Sequence, residues 1–177
     1  MRTTALAALL ATAALPALAQ DAVPAARAAL TDVDGTEVGT VYIRENPSGY
    51  TTVSIALTDM PEGAHGVHVH ETGDCGDSGD GPFTAAGGHL AEGAEHGVGA
   101  EGGPHPGDLP NAIVGADGAM DVEYFNDLLT TDMLFDDDGA AFIVHADADD
   151  YESQPSGEAG GRIACGIFEQ AEDAASN

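Results

Sequence analysis

Read for its alternation of apolar and polar positions, the chain offers short runs and no long amphipathic period. "TEVGTVYIRE" (36–45), "YTTVSIALTDM" (50–60), "HGVHVHE" (65–71), "NAIVGADGAMDVEYF" (111–125), "AAFIVHAD" (140–147) and "RIACGIFE" (162–169) alternate or are rich in β-branched residues, and they predict strands. "ENPSGY" (45–50) and "ADGAM" (116–120) carry the Pro, Gly, Asn and Asp chemistry of turns between strands. One helical turn is expected within "NDLLTTDMLF" (126–135). Short strands joined by glycine-rich turns predict an all-β protein, an antiparallel sandwich or barrel. Two stretches break the rhythm, from Glu71 to about Asn111 and from Asp147 to Gly161, both rich in Gly, Pro, Asp and Glu. Loops of that length in a compact domain are functional or disordered. The tail "EQAEDAASN" is expected to fray.

The first residues do not belong to this pattern. "MRTTALAALLATAALPALAQ" has a charged start at Arg2, an apolar alanine- and leucine-rich run and a small-x-small site at Ala17-Leu18-Ala19. That pattern predicts a signal peptide, residues 1–19, cut after Ala19, with an uncleaved anchor as the alternative. Residues 20–177 then form one exported domain, large enough to bury a core of its own. No later run is apolar enough to span a bilayer.

Charge narrows the partners. The formal net charge is −27, lysine is absent, and Arg27, Arg44 and Arg162 are the strong bases after the signal. Such a surface repels nucleic acid and anionic lipid, which excludes both as partners. The chain has two cysteines, Cys75 and Cys165. An even count in an exported chain suggests a disulfide; two free buried thiols are the alternative.

The histidines carry the chemistry. Strand residues two apart face the same side, so His68 and His70 point together, while His65 faces away and is expected to hydrogen-bond a loop backbone. His89, His96, His105 and Asp108 follow on the glycine-rich loop, three imidazoles and a carboxylate, a four-coordinate set common for zinc. His145 ends the strand "AFIVH" and can approach the His68/His70 face. Imidazole-rich sites suit copper and zinc better than magnesium or calcium.

These residues, in order, bear a resemblance. "HGVHVHETGDC", "GGHL", His96…His105-x-x-Asp108, "GDLPN", "FIVHADADD" and "GGRIACGIF" resemble the copper–zinc superoxide dismutases of the bacterial periplasmic type, over about Val38 to Phe168. The resemblance implies a Greek-key β-sandwich or flattened barrel, immunoglobulin-like in architecture, with two long functional loops. It implies an enzyme that converts superoxide to O2 and H2O2 with copper and zinc as cofactors, located in the periplasm as a monomer or homodimer. Copper would be held by His68, His70, His89 and His145, and zinc by His89, His96, His105 and Asp108, with His89 shared. Asp149 would link ligands of the two metals, Arg162 would orient the substrate anion, and Cys75 and Cys165 would form the disulfide. One departure stands out: family members often place lysines around the channel, and this chain has none. A periplasmic copper- or zinc-binding protein without turnover is the rival reading, which would need neither Arg162 nor a shared ligand.

Overall fold

The computed structural model describes residues 25–171. The expected signal peptide, 1–19, lies outside the described residues, as do 172–177 of the tail. Ten strands follow one another: β1 (Ala26–Asp32), β2 (Glu37–Glu45), β3 (Thr51–Leu57), β4 (Gly63–His65), β5 (Val67–His70), β6 (Ala112–Val114), β7 (Met120–Asn126), β8 (Ala141–His145), β9 (Arg162–Ile167) and β10 (Glu169–Gln170). All pair antiparallel. The main sheet runs β5-β8-β9-β1-β2-β3-β7, with β10 on β1, and β4 pairs β6 apart from it. The first strand therefore sits beside the late strand β9, and β5 returns beyond β8, a Greek-key arrangement in a half-barrel of antiparallel sheet.

The core explains the alternation. Ala28 and Leu30 of β1, Val41 and Ile43 of β2, Val53 and Ile55 of β3, Val67 and Val69 of β5, and Phe142 and Val144 of β8 are buried in one cluster. Each side chain of Val, Leu or Ile size contributes roughly 1.5–3 kcal/mol by leaving water. Parity then turns His68 and His70 to the other side of β5, yet both are fully buried because the segment 71–111 folds over them. A second apolar cluster, Phe83, Ala86, Ala141, Ile143 and Cys165 with Cys75 against it, fixes the start of that segment to β8 and β9.

Two expectations need correction, one strand adds to them and one turn is refined. The run 65–71 is not one strand: His65 ends β4 and pairs with Ala112, while β5 begins at Val67 and pairs with β8. Strand β1 was not among the predicted runs, because "ARAALTD" is alanine-rich and has little β propensity, although its burial alternates cleanly. Glu169 and Gln170, expected in a frayed tail, pair with Arg27 and Ala26. The helical turn expected near 126–135 is a 3-10 turn at Thr131–Leu134. Both long loops are where the pattern put them, between β5 and β6 and between β8 and β9.

Candidate metal centre

Each strand end delivers its histidine by a different local device. Val67 and Val69 anchor β5 in the core, so His68 and His70 are presented together on its opposite face. The register of β8 against β9 shifts between Val144 and His145, setting His145 opposite Arg162. Such bulges re-aim side chains beside functional sites. Isolated bridges His70↔His89 and His68↔Asp108 lay the long loop against β5 and bring its histidines and Asp108 to that strand.

The result is two groups of potential metal donors among the described residues, His68, His70, His89 and His145, and His89, His96, His105 and Asp108, each with its donor atoms within 4.8 Å of one another. His89 belongs to both. The hydrogen bonds made by the second nitrogen of each ring show which atom is left over. His68 Nε2 donates to Asp149 Oδ2 at 2.7 Å, His70 Nδ1 to the Gly87 carbonyl at 3.1 Å, and His145 Nδ1 to the Gly160 carbonyl at 3.3 Å. His68 Nδ1, His70 Nε2, His89 Nε2 and His145 Nε2 remain buried without any partner. Buried nitrogens are seldom left unpaired, and these four belong to one donor group. A cation with a taste for imidazole fits them, and the second nitrogens fix the tautomers as metal ligands require.

The other group fits a second ion. The Nδ1 atoms of His89, His96 and His105 lie 2.9, 3.0 and 3.2 Å from the same oxygen, Asp108 Oδ1. No placement of hydrogens serves three ring nitrogens on one oxygen as well as a shared cation does. Ligands about 2.0–2.1 Å from a tetrahedral zinc stand roughly 3.3 Å apart, close to this spacing. Asp108 Oδ2 accepts instead from the Gly97 and His105 amides at 2.9 and 3.0 Å, which orients the carboxylate.

The electrostatics favour the neutral ring at His70, His89 and His145 and the ionised carboxylate at Asp108 and Asp149. Burial, then the field of His68, holds His145 down at about 3, and burial outweighs the help of Asp108 to hold His89 at about 4. Burial and the neighbouring His89 and Arg162 put His70 well below the usual imidazole range. Burial alone would raise Asp149, but hydrogen bonds from His68, the Tyr151 amide and His96 hold it at about 2. Asp108 is likewise raised by burial and more than compensated by His89, the Gly97 amide, His96 and His105, ending well below the carboxylate range. Metal binding needs unprotonated donors, and the shifts of His70, His89, His145 and Asp108 all run in that direction.

Asp149 and Arg162 lie beside these groups. Asp149 spans His68 Nε2 and His96 Nε2, at 2.7 and 3.1 Å. Arg162 donates to the carbonyls of Phe83 and Gly87, both at 2.6 Å, so Gly87 binds His70 and Arg162 at once. Gly87 has φ 73°, and a Cβ there would stand 2.8 Å from Glu71 Oε1, so the turn that aims this carbonyl requires glycine. Cys75 and Cys165 are joined in a disulfide. His65 places its two ring nitrogens 2.8 Å from the Pro61 and His145 carbonyls, a structural tie as expected. Sequence reasoning gave no role to Asn111 or Gln154. Asn111 exchanges two hydrogen bonds with the main chain of Asp149, and Gln154 does the same with His96. An uncharged amide in a polar loop has no spacing signal that would have found either.

Comparison with known proteins agrees with this geometry. The family model described as copper/zinc superoxide dismutase matches residues 37–168. The chain is 38% identical over 162 residues to a superoxide dismutase (Cu-Zn) of Deinococcus radiodurans, covering 82% of this chain and 85% of that one. The solved Cu/Zn superoxide dismutase from Brucella abortus superposes with TM-score 0.68 at 32% identity, covering 81% of this chain and 98% of its own. A SOD-like protein from Bacillus subtilis superposes with TM-score 0.70 at 37% identity, covering 79% and 95%. With a family model spanning both donor groups and relatives of that name along most of its length, the chain belongs to the copper/zinc superoxide dismutase family, enzymes that use copper and zinc to dismutate superoxide.

Proposed function

We propose that this chain divides the work of superoxide dismutation as follows: His68, His70, His89 and His145 hold copper, and His89, His96, His105 and Asp108 hold zinc. The observation that carries the assignment is the set of four buried, unpartnered ring nitrogens, together with the opposite nitrogen of His89 set against Asp108. When bound, copper would supply the Cu(II)/Cu(I) couple for the oxidation of one superoxide to O2 and the reduction of the next to H2O2, and zinc would be held by His89, His96, His105 and Asp108. His89 Nε2 is then the atom at which a proton is held and given up. Asp149 fixes the tautomers of His68 and His96. Arg162, pinned by two carbonyls, offers the anionic substrate a permanent positive charge that stays in place during turnover.

The segment 1–19 and the Cys75–Cys165 disulfide support export to the periplasm as one domain, residues 20–177. The net charge of −27 supports a partner list without nucleic acid or membrane, the mature protein being a monomer or homodimer. The test is elemental analysis of the purified protein paired with a superoxide-consumption assay. The expected result is one copper and one zinc per chain, with turnover. A fully metallated protein that consumes no superoxide would be a metal carrier instead.

The surface charge makes a further prediction. Asp147, Asp150, Glu152 and Glu158 are exposed on the loop that ends at Arg162, and no lysine offsets them. Screening acts over about 8 Å at physiological salt, so added salt removes the bulk repulsion of a monoanion more than the short-range pull of Arg162. Turnover is therefore expected to stay flat or rise as ionic strength increases from low values. A steep fall in stopped-flow rates over that range would show that attraction dominates at long range.

A further inference from the structure

We propose that Gln154 is a positioning residue for the zinc-side ligand His96, latching the β8–β9 loop onto the backbone of that ligand. The inference rests on the assignment of His96 to zinc. Its ground is a reciprocal pair: the His96 amide donates to Gln154 Oε1 at 2.9 Å, and Gln154 Nε2 donates to the His96 carbonyl at 2.9 Å. The partners are 58 residues apart, so the pair joins two loops rather than closing a turn. The amide meets both main-chain groups of His96, which fixes that residue in position and in rotation, while Nε2 also donates to the Glu152 carbonyl at 3.3 Å within its own loop.

The surroundings show why this peptide needs holding. The His96 ring lies between two carboxylates, Asp108 Oδ1 at 3.0 Å and Asp149 Oδ1 at 3.1 Å. A small rotation of its backbone would break one contact to keep the other. The loops meet without spare room: a Cβ on Gly97 would stand 2.1 Å from the Tyr151 carbonyl, and one on Gly157 would stand 1.9 Å from Asp149 Oδ1 and 2.7 Å from His96 Nε2. Asp150 builds the approach, accepting from the Glu152 and Ser153 amides at 2.9 and 2.8 Å in a tight turn that presents Gln154. On the other side, Asn111 exchanges 2.7 and 2.8 Å hydrogen bonds with the main chain of Asp149. Asp149, whose carboxylate reaches both donor groups, and His96, one of the rings it touches, are thus each gripped through the main chain by a side-chain amide. Gln154 is the more exposed of the two amides, and it works on the ligand itself.

Partners that orient a metal ligand from outside are worth about 10–100-fold in metal affinity, and an exposed amide belongs at the lower end. The test uses the copper- and zinc-loaded protein and two variants, Gln154→Ala and Gln154→Glu. The glutamate keeps the bulk and the acceptor but turns an oxygen toward the His96 carbonyl. Zinc transfer to a colorimetric chelator at neutral pH is expected to be about tenfold faster in both variants. The visible spectrum of cobalt placed in the zinc site is expected to broaden, while the Tm of the metal-free variants stays near that of the metal-free parent. Zinc transfer within twofold of the parent in both variants would overturn the latch. So would a parent-like Gln154→Glu, because its donor would then be idle, and so would a metal-free Tm that falls as far as the loaded one. A parent protein that takes up no zinc at this set would overturn the ligand assignment itself, and the latch with it.

Discussion

Replacing Arg162 by alanine is expected to lower kcat/KM for superoxide about 10- to 100-fold while copper and zinc stay bound at one each per chain. The separation follows from what the guanidinium touches. It donates to the Phe83 and Gly87 carbonyls and to no ring nitrogen or carboxylate of either donor group, so its loss removes no ligand. What it does provide is charge. Two unit charges about 4 Å apart in surroundings of intermediate dielectric attract with roughly 4 kcal/mol. Arg162 is only partly buried, and salt and water discount that figure to about 1.4–2.7 kcal/mol, which is the stated range of rates. Arg162→Lys is expected to fall between parent and alanine, since it keeps the charge but lacks the planar fork that reaches two carbonyls. Stopped-flow kinetics with metal analysis on the same samples decides the matter. An unchanged rate would leave anion docking to the metal ions alone, and loss of copper would make Arg162 structural.

How much of this was legible beforehand depended on whether a residue's role has a local spacing. His68 and His70 were readable as a pair because a strand repeats every two residues and its alternate positions, Val67 and Val69, are apolar. His89, His96, His105 and Asp108 were readable as a set because they crowd onto one glycine-rich segment. The break at Gly66 was not readable: "VHVH" alternates cleanly, one glycine before it does not by itself end a strand, and only pairing with two different strands divides the run. The conclusion about His65 held although the single strand assumed for it did not. The alanines of β1 hid a central strand, since Ala26 and Ala28 fill the core by position rather than by bulk. Shared use of His89, and the roles of Asp149 and Arg162, came from resemblance, and the structure brings all three to the same centre. The carbonyl of Gly87 and the amides of Asn111 and Gln154 were beyond reach, because what they do depends on loops that meet only in three dimensions.

Removing the disulfide, as Cys75→Ala with Cys165→Ala, is expected to lower the Tm by about 8–20 °C. Its two cysteines are 90 residues apart in sequence, and a cross-link closing a loop of that length restricts the unfolded chain by about 4–5 kcal/mol. For a domain of this size each kcal/mol is worth roughly 2–4 °C. A second effect should appear well below the melting range. Cys75 tethers the start of the long loop to β9, and that loop carries the Phe83 and Gly87 carbonyls which hold Arg162, three residues before Cys165. Packing of Phe83 and Ala86 on Ala141 and Ile143 remains to hold the loop, but Cys165 belongs to the same cluster. The double variant should therefore fold at 25 °C, bind its metals and turn over more slowly. In that background Arg162→Ala should cost less than it does in the parent, because the guanidinium has already lost its fixed position; the shortfall measures the coupling. Additive losses would mean that the apolar cluster alone places the two carbonyls, leaving the disulfide with stability as its whole contribution.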